Sequence, residues 1–589
     1  MTHFRRLRVI RRLAVRKLRH LFRTLALNHD VDEGFVVVLA AVIGALAGLT
    51  VIGFYEFLDW VRTLAGWARE TSGGAGTPWL ALPLVPAGLW AARRLLPDDP
   101  SGAEMVPALI RASVRHGGQL PVTAVLRKLL AAGVTIGAGG SLGAEGPVAA
   151  GGAAVGSGLS QALKFGPRRT RVLLACGTAG GIAAAFNAPI AGVLFALEVV
   201  LGTFAVGALS PVVVASVMGA VVSRRFLGAS PAFEIPTEFH FGTAAELPLY
   251  LLLGLLSGVL AWAFVRLFYR TQDVLAAAVP HLGLRSVVAG LLIATLGLGH
   301  PELLGDGRHG IELILSSELA GLAVLGLGFA KIFSSGLTAG GGGAGGVFTP
   351  SLFVGAAFGS FFGLTVQRVF PALPVSPEAY ALVGMAAIVA GATFAPLTAI
   401  IMIFEMTDDY GLILPLMLVC VVSYLIARRL SPESIYSEAL ARTGDRIVHG
   451  ADRSALEHVR VSDCFDRDPD VVLEDAPVRS LLGQIRESRQ SGFPVVTRDL
   501  EFSGMLNYQQ VARALEEGLM DVVIAADLQV PEEESVTPQD TLLTAMRKMN
   551  LRDVDLLPVL QGPDSRRLIG LLSRADIMEA YQTRLLLEE

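Results

Sequence analysis

Charge is scarce in this chain. Of 589 residues only 17% are Asp, Glu, Lys or Arg, against 52% hydrophobic, and the mean hydropathy is +0.57. What charge there is sits late: residues 431–589 hold 46 of the 100 charged residues, leaving 54 for the first 430. Residues 34–55, 172–197, 199–223 and 247–265 carry none. About twenty apolar residues cross the hydrocarbon of a bilayer, so a soluble protein is excluded. Cysteine is nearly absent. Cys176, Cys420 and Cys464 lie far apart and match no metal or redox spacing, so neither disulfides nor a metal site is expected. Acid is missing from the first 24 residues, which carry nine Lys or Arg. The basic residues recur through Arg23, which excludes the apolar stretch of a secretory signal. Residues 1–29 read as a basic amphipathic helix on anionic lipid headgroups, with a cytoplasmic N-terminus, or else as a basic tail. The net charge of −4 points to no particular partner, and no nucleic-acid partner is expected.

Glycine, by contrast, is abundant and clustered. Nine of the 22 residues from 137 to 158 are Gly, as are seven of the twelve from 335 to 346. Glycine runs at membrane depth leave backbone polar groups unpaired unless protein or a water-filled cavity satisfies them. Short, broken helices around a buried site are therefore expected in the membrane block, rather than a simple bundle.

The block also repeats itself. GTAGGIAAAFNAPIAGVLFALE at 177–198 matches GMAAIVAGATFAPLTAIIMIFE at 384–405, with Gly177 on Gly384, Pro189 on Pro396 and Glu198 on Glu405, all offset by 207. GAEGPVAAGGAAVGS from 143 matches GVFTPSLFVGAAFGS from 346, offset by 203. Two ordered matches with nearly equal offsets make two related halves. Interrupted segments in corresponding places point to the binding site of a transporter.

Under this repeat Glu145 falls on Phe348. Both motifs open with flexible glycines and reach a proline suited to the first turn of a helix. Each places free N–H groups and a positive dipole end after a glycine loop. Two such ends converging at mid-membrane form an anion site without a full positive charge, weak enough to release what it binds. A carboxylate there competes with the anion when ionised and withdraws when protonated. Glu145 is thus the candidate gate, against the simpler role of an acid that stabilises its helix.

The motifs GAEGP at 143–147, AAAFNAPIAGVLFALE ending at 198, GGVFTP at 345–350, FEMTDDYGLILP at 404–415 and IYSEALART at 435–443 resemble the CLC family of chloride channels and chloride/proton exchangers. The resemblance implies an all-α multi-pass membrane domain over residues 30–445 with an inverted internal repeat of broken helices. It further implies a homodimer with one chloride pathway per subunit, embedded in membrane lipid. It assigns the gate to Glu145, chloride binding to Ser101, Val347, Phe348 and Tyr436, and no enzymatic activity or required cofactor. Three departures accompany it. The first anion motif survives only as PSGAEMV at 100–106, with Glu104 and no early proline. Ala144 stands where the family commonly has Arg before the glutamate. Val199 stands where proton-coupled exchangers typically carry a second glutamate, as in members that act as channels. A valine relays no proton, so uncoupled conduction is the expectation. Lys128, seventeen residues before Glu145, adds positive potential near the pathway, or else is a snorkelling or salt-bridged lysine. Glu198 and Glu405 are expected to hold helix interfaces.

Beyond a linker at 446–457, residues 458–515 and 522–583 each read strand, helix, strand, strand, helix, with FPVV at 493 answering LPVL at 557. This tandem α/β module resembles a cytoplasmic pair of cystathionine-β-synthase (CBS) domains. The resemblance makes Ser573 and Asp576 of SRAD candidates for an adenine nucleotide; the same residues also suit a helix cap. The alternatives are a CBS-regulated cation transporter and a membrane nucleotide sensor that transports nothing. The glycine loops lack the Gly-Lys-Ser/Thr ending of a phosphate-binding loop, so ATP-driven pumping has no support.

Overall fold

The computed structural model describes residues 29–71, 81–96, 105–228, 246–373 and 375–444 of the membrane block, and residues 459–488, 490, 492–516, 522–530, 534–552, 554–562 and 565–580 beyond it. Ser101, the linker and all of the basic segment except His29 fall outside the described residues. The chain divides into two compact units, Met1–Ile447 and Val448–Glu589.

The first unit is helical. Its first half holds α1 (His29–Thr71), α2 (Ala81–Leu95), α3 (Met105–Arg115), α4 (Val122–Gly137), α5 (Glu145–Leu163), α6 (Pro167–Phe186), α7 (Pro189–Leu194, running on as a π-helical stretch over Phe195–Leu201) and α8 (Val206–Leu227). The second half answers with α9 (Leu247–Ala278), α10 (Leu282–Gly299), α11 (Arg308–Leu315), α12 (Leu322–Gly340), α13 (Phe348–Val369), α14 (Pro377–Thr393), α15 (Pro396–Thr407) and α16 (Ile413–Leu430), and α17 (Ile435–Arg442) follows. Among the described residues seven helical segments are long and apolar enough to cross a membrane, while α7, α14 and α15 are shorter.

The repeated glycines have a packing reason. In the α5–α6 pair a side chain at Gly152 would strike the carbonyl of Gly177, and one at Gly156 that of Leu173. In the α13–α14 pair Gly355 faces Gly384, and Gly359 faces Tyr380, in the same manner. Small residues let helix backbones touch where lipid offers no hydrophobic drive to associate.

Equivalent residues of the two halves exchange equivalent bonds. The Gly143 N–H donates to the Gly346 carbonyl at 2.8 Å, and the Gly346 N–H returns the bond at 2.7 Å. Thr135, in the last turn of α4, accepts from the Ala344 N–H at 3.1 Å, while Thr338, in the last turn of α12, accepts from the Ser141 N–H at 3.0 Å. Glu405 accepts from the Ile190 and Ala191 N–H groups at the start of α7, at 2.9 and 2.7 Å. Glu198 accepts from those of Leu397 and Thr398 at the start of α15, at 3.2 and 2.8 Å. Such reciprocity is that of a two-fold axis through the glycine bridge. Each half finishes helix ends that the other leaves open.

The second unit contains a three-stranded sheet in the order β1 (Val472–Leu473), β2 (Gly492–Val496), β3 (Phe502–Asn507), and a hairpin of β4 (Leu556–Leu560) with β5 (Leu568–Ser573). Val536 makes an isolated parallel bridge to Val559, standing where β1 stands in the first copy. The helices Val478–Glu487 and Tyr508–Glu516 accompany the first copy; Leu542–Arg552 and a last helix over 574–580 accompany the second. The two copies share their apolar cores: Val459 and Val461 from the start of the first join Leu557 and Leu572, and Ala525 from the start of the second joins Phe493 and Val495.

Candidate functional site

The glycine bridge brings the starts of α5 and α13 to one point. Neither helix has a side-chain cap, because Ala144 and Val347 occupy the cap positions. Their first-turn N–H groups are therefore left to whatever lies in front of them. At Gly346 a side chain would collide with the Gly146 N–H and the Glu145 carboxylate, so the close approach requires glycine.

Glu145 is the first residue of α5 and only 4% exposed. Its carboxylate folds back over Gly143 and Gly346 and faces its own N–H and that of Thr349, in the first turn of α13. Oε2 has no hydrogen-bond partner among the described residues. A carboxylate of one half thus lies on the positive end of a helix from the other, where a free anion would be stabilised.

Beside it is a small cavity of about 20 Å³, lined by Gly146, Gly345, Gly346, Val347 and Tyr436 together with the first turn of α3. It has room for roughly one water-sized occupant. Tyr436, the second residue of α17, is buried, and the start of α17 is fixed by a reciprocal cap between Ser434 and Ser437. The Tyr269 hydroxyl of α9 donates to the Ile435 carbonyl at 2.6 Å, tying that turn to a second helix. Phe348 opens α13 and packs its ring 6.0 Å from that of Phe186. The structure therefore gathers Glu145, Val347, Phe348 and Tyr436 around one point. Lys128 is buried on α4, and Val199 is buried among apolar side chains.

A charged group near Glu145 escaped the sequence reading. The Arg308 guanidinium faces the Tyr55 hydroxyl, the Arg308 backbone N–H donates to Asp306 at 3.3 Å, and Asp306 pairs with Arg62 at 3.0 Å. Lys331, wholly buried, donates to the Leu303 and Gly305 carbonyls at 3.1 Å each and lies 5.5 Å from the centre of the Phe353 ring. Asp306, Arg308 and Lys331 all act electrostatically on Glu145. Lys331 did leave a signal, since it is the sole charge between Glu318 and Arg368, and a solitary intramembrane charge marks a functional place.

In the second unit, Ser573 and Asp576 cap each other reciprocally: the Ser573 N–H donates to Asp576 at 2.7 Å and the Asp576 N–H to the Ser573 hydroxyl at 3.1 Å. Asn507 and Gln510 make the same cap in the first copy, at 2.6 and 3.1 Å.

Comparison with known proteins is specific. The family described as voltage gated chloride channel matches residues 83–428, and the CBS domain matches residues 461–517 and 525–583. A putative chloride channel protein ClcB-like of Ralstonia nicotianae is 34% identical over 424 residues, covering 70% of this chain and 97% of that protein. The H(+)/Cl(−) exchange transporter ClcA of Citrobacter koseri is 32% identical over 435 residues, covering 71% and 90%. Among solved structures, a eukaryotic CLC transporter superposes with a TM-score of 0.73 at 20% identity, over 92% of this chain and 97% of that one, which bears on the fold.

Proposed function

Because the chain belongs to the voltage gated chloride channel (CLC) family and carries a tandem CBS pair, we propose that it conducts chloride passively across a membrane, with Glu145 as a protonatable gate. The observation that supports this most is the Glu145 carboxylate lying on the first turn of α13, next to a cavity of about one ion's size bounded by Tyr436. Ionised, the carboxylate holds the backbone N–H groups that a chloride would need. Protonated, it leaves them to the anion. Amide dipoles replace part of the ion's water without the grip of a full positive charge. Val347 and Phe348 present the N–H groups of α13, Tyr436 bounds the other side, and Ser101, outside the described residues, is proposed as a further chloride-binding residue.

Passive conduction is supported by the buried, apolar Val199 and by the engagement of Glu198 in capping α15. The second reading is chloride/proton exchange, favoured by the likeness to the exchange transporter ClcA. Simultaneous recording of chloride and proton movement in reconstituted vesicles separates the two. The expected outcome is chloride flux with no proton flux against its gradient. Uphill proton movement driven by a chloride gradient overturns the passive reading. Absence of chloride flux overturns both.

The proposal extends to assembly, orientation and the CBS pair. The protein works as a homodimer with a pathway in each subunit, and its N-terminus and CBS pair face the cytoplasm. An adenine nucleotide at the CBS pair would share Ser573 and Asp576 with the helix cap they already form.

A further inference from the structure

A second cavity, of about 360 Å³, lies in the membrane unit between α9, α14, α16 and α17. Its size falls in the range of small-ligand sites, far above the pathway cavity. Its lining is rich in charge, including Arg266, Arg270 and Arg442 with Asp273, Glu433 and Glu438. The acids are already engaged. Arg442 binds Asp273 at 2.7 Å and Glu438 at 2.8 Å while stacking 4.5 Å from the centre of the Tyr269 ring, and Glu433 has an interaction of its own.

Three donors are left over. Arg270 has no hydrogen-bond or ion-pair partner among the described residues, and Arg266, one turn earlier, has only the Trp262 ring, 6.0 Å away. The Nε1–H of Trp262 is buried without a hydrogen-bond partner among the described residues. Two guanidiniums and an indole N–H on one wall, with no acid to take them, fit an oxyanion with several oxygens. Guanidinium forks match phosphate oxygens in pairs, which a halide's single centre cannot use.

The height of the cavity is informative. The uncharged start of α9, residues 247–265, spans roughly 28 Å at 1.5 Å per residue, close to the hydrocarbon thickness. Arg266 and Arg270 follow directly, and α16 likewise ends in Arg428 and Arg429. The cavity thus opens where the phosphates of a lipid leaflet lie.

We propose that this cavity binds a terminal phosphate group, which the diester headgroup of phosphatidylcholine lacks, with Arg266 and Arg270 holding the phosphate oxygens and the Trp262 N–H supplying a third bond, the group coming from a lipid headgroup or from a soluble phosphate. Tyr269 belongs to both cavities and holds Ile435, next to Tyr436, so occupancy acts on the turn that bounds the pathway. The binding claim does not depend on what the pathway conducts.

The test uses full-length protein in nanodiscs, which expose both faces. Its thermal midpoint is followed with inorganic phosphate in phosphatidylcholine discs, and in discs that also contain phosphatidic acid, at matched ionic strength. A rise with inorganic phosphate identifies the soluble source; a rise with phosphatidic acid alone identifies the lipid. The paired change Arg266→Gln with Arg270→Gln should abolish either rise. Trp262→Phe should raise the probe concentration needed for a given rise about five- to tenfold, the worth of one hydrogen bond of about 1–1.4 kcal/mol. An unaltered thermal midpoint in phosphatidylcholine discs without either probe shows that the variants fold. No rise with either probe, or an undiminished rise in the double variant, overturns the proposal.

Discussion

Glu145 and chloride compete for the same backbone N–H groups. A carboxylate has two oxygens and a tether. The tether keeps its local concentration high, and only loss of its charge makes it a poor competitor for a positive helix end. Chloride flux should therefore rise as pH falls, since acid withdraws the competitor. Glu145→Gln, neutral at every pH, should give flux at least equal to the wild type's acidic maximum and nearly flat from acid to neutral pH, as measured by chloride efflux from vesicles. An unchanged pH profile would remove Glu145 from the gate. The Glu145–Phe348 pairing was legible because the repeat placed both in one motif. Its electrostatic surroundings were not. Tyr55, Asp306 and Arg308 come from distant segments without periodicity, and only the tertiary fold brings the Arg308 guanidinium toward Glu145. It supplies a positive charge in the neighbourhood where Ala144 replaces the family's usual arginine.

Two of the helices that matter most at the centre, α5 and α13, begin without caps, and the loops before them are glycine. What fixes such loops is the other half of the molecule. Thr135 and Thr338 accept a loop N–H each, and both hydroxyls also donate within their own helices, to Ala131 and Ser334. Replacing Thr135 or Thr338 with valine keeps the shape and orphans a buried N–H, at a cost of about 1–3 kcal/mol. The two variants should lose thermal stability in detergent by similar amounts, because the bonds are two-fold equivalents. Serine at either position should restore most of it. A large loss at one position and none at the other would argue against the symmetry. This pair lies at the same offset of 203 as Gly143 and Gly346, so the match was present in the sequence, but its meaning was not. A threonine near a helix end bonds to its own backbone as a rule, and nothing local tells which distant loop it also serves.

Across the whole molecule, the order of the halves and the start of the second unit could be read from hydropathy and motif spacing. The exchange of helix caps between halves could not, since it depends on which ends meet. Modularity has a consequence that can be measured. The first unit closes its own helix ends through these exchanges, and the second buries two apolar cores built within it. The ClcB-like relative is matched over 97% of its length by 424 residues of this chain, which leaves almost no length for a CBS pair. A membrane unit of this kind therefore occurs without one. A chain ending at residue 447 should reconstitute with chloride flux within about threefold of the full protein, a barrier difference of roughly 0.7 kcal/mol, and with the same dependence on pH. If adenine nucleotide acts through Ser573 and Asp576, the full chain should respond to it and the shortened chain should not. Loss of flux from a shortened chain that elutes as a folded species would mean that the second unit completes the pathway itself, and conduction would then have to be assigned to both units together.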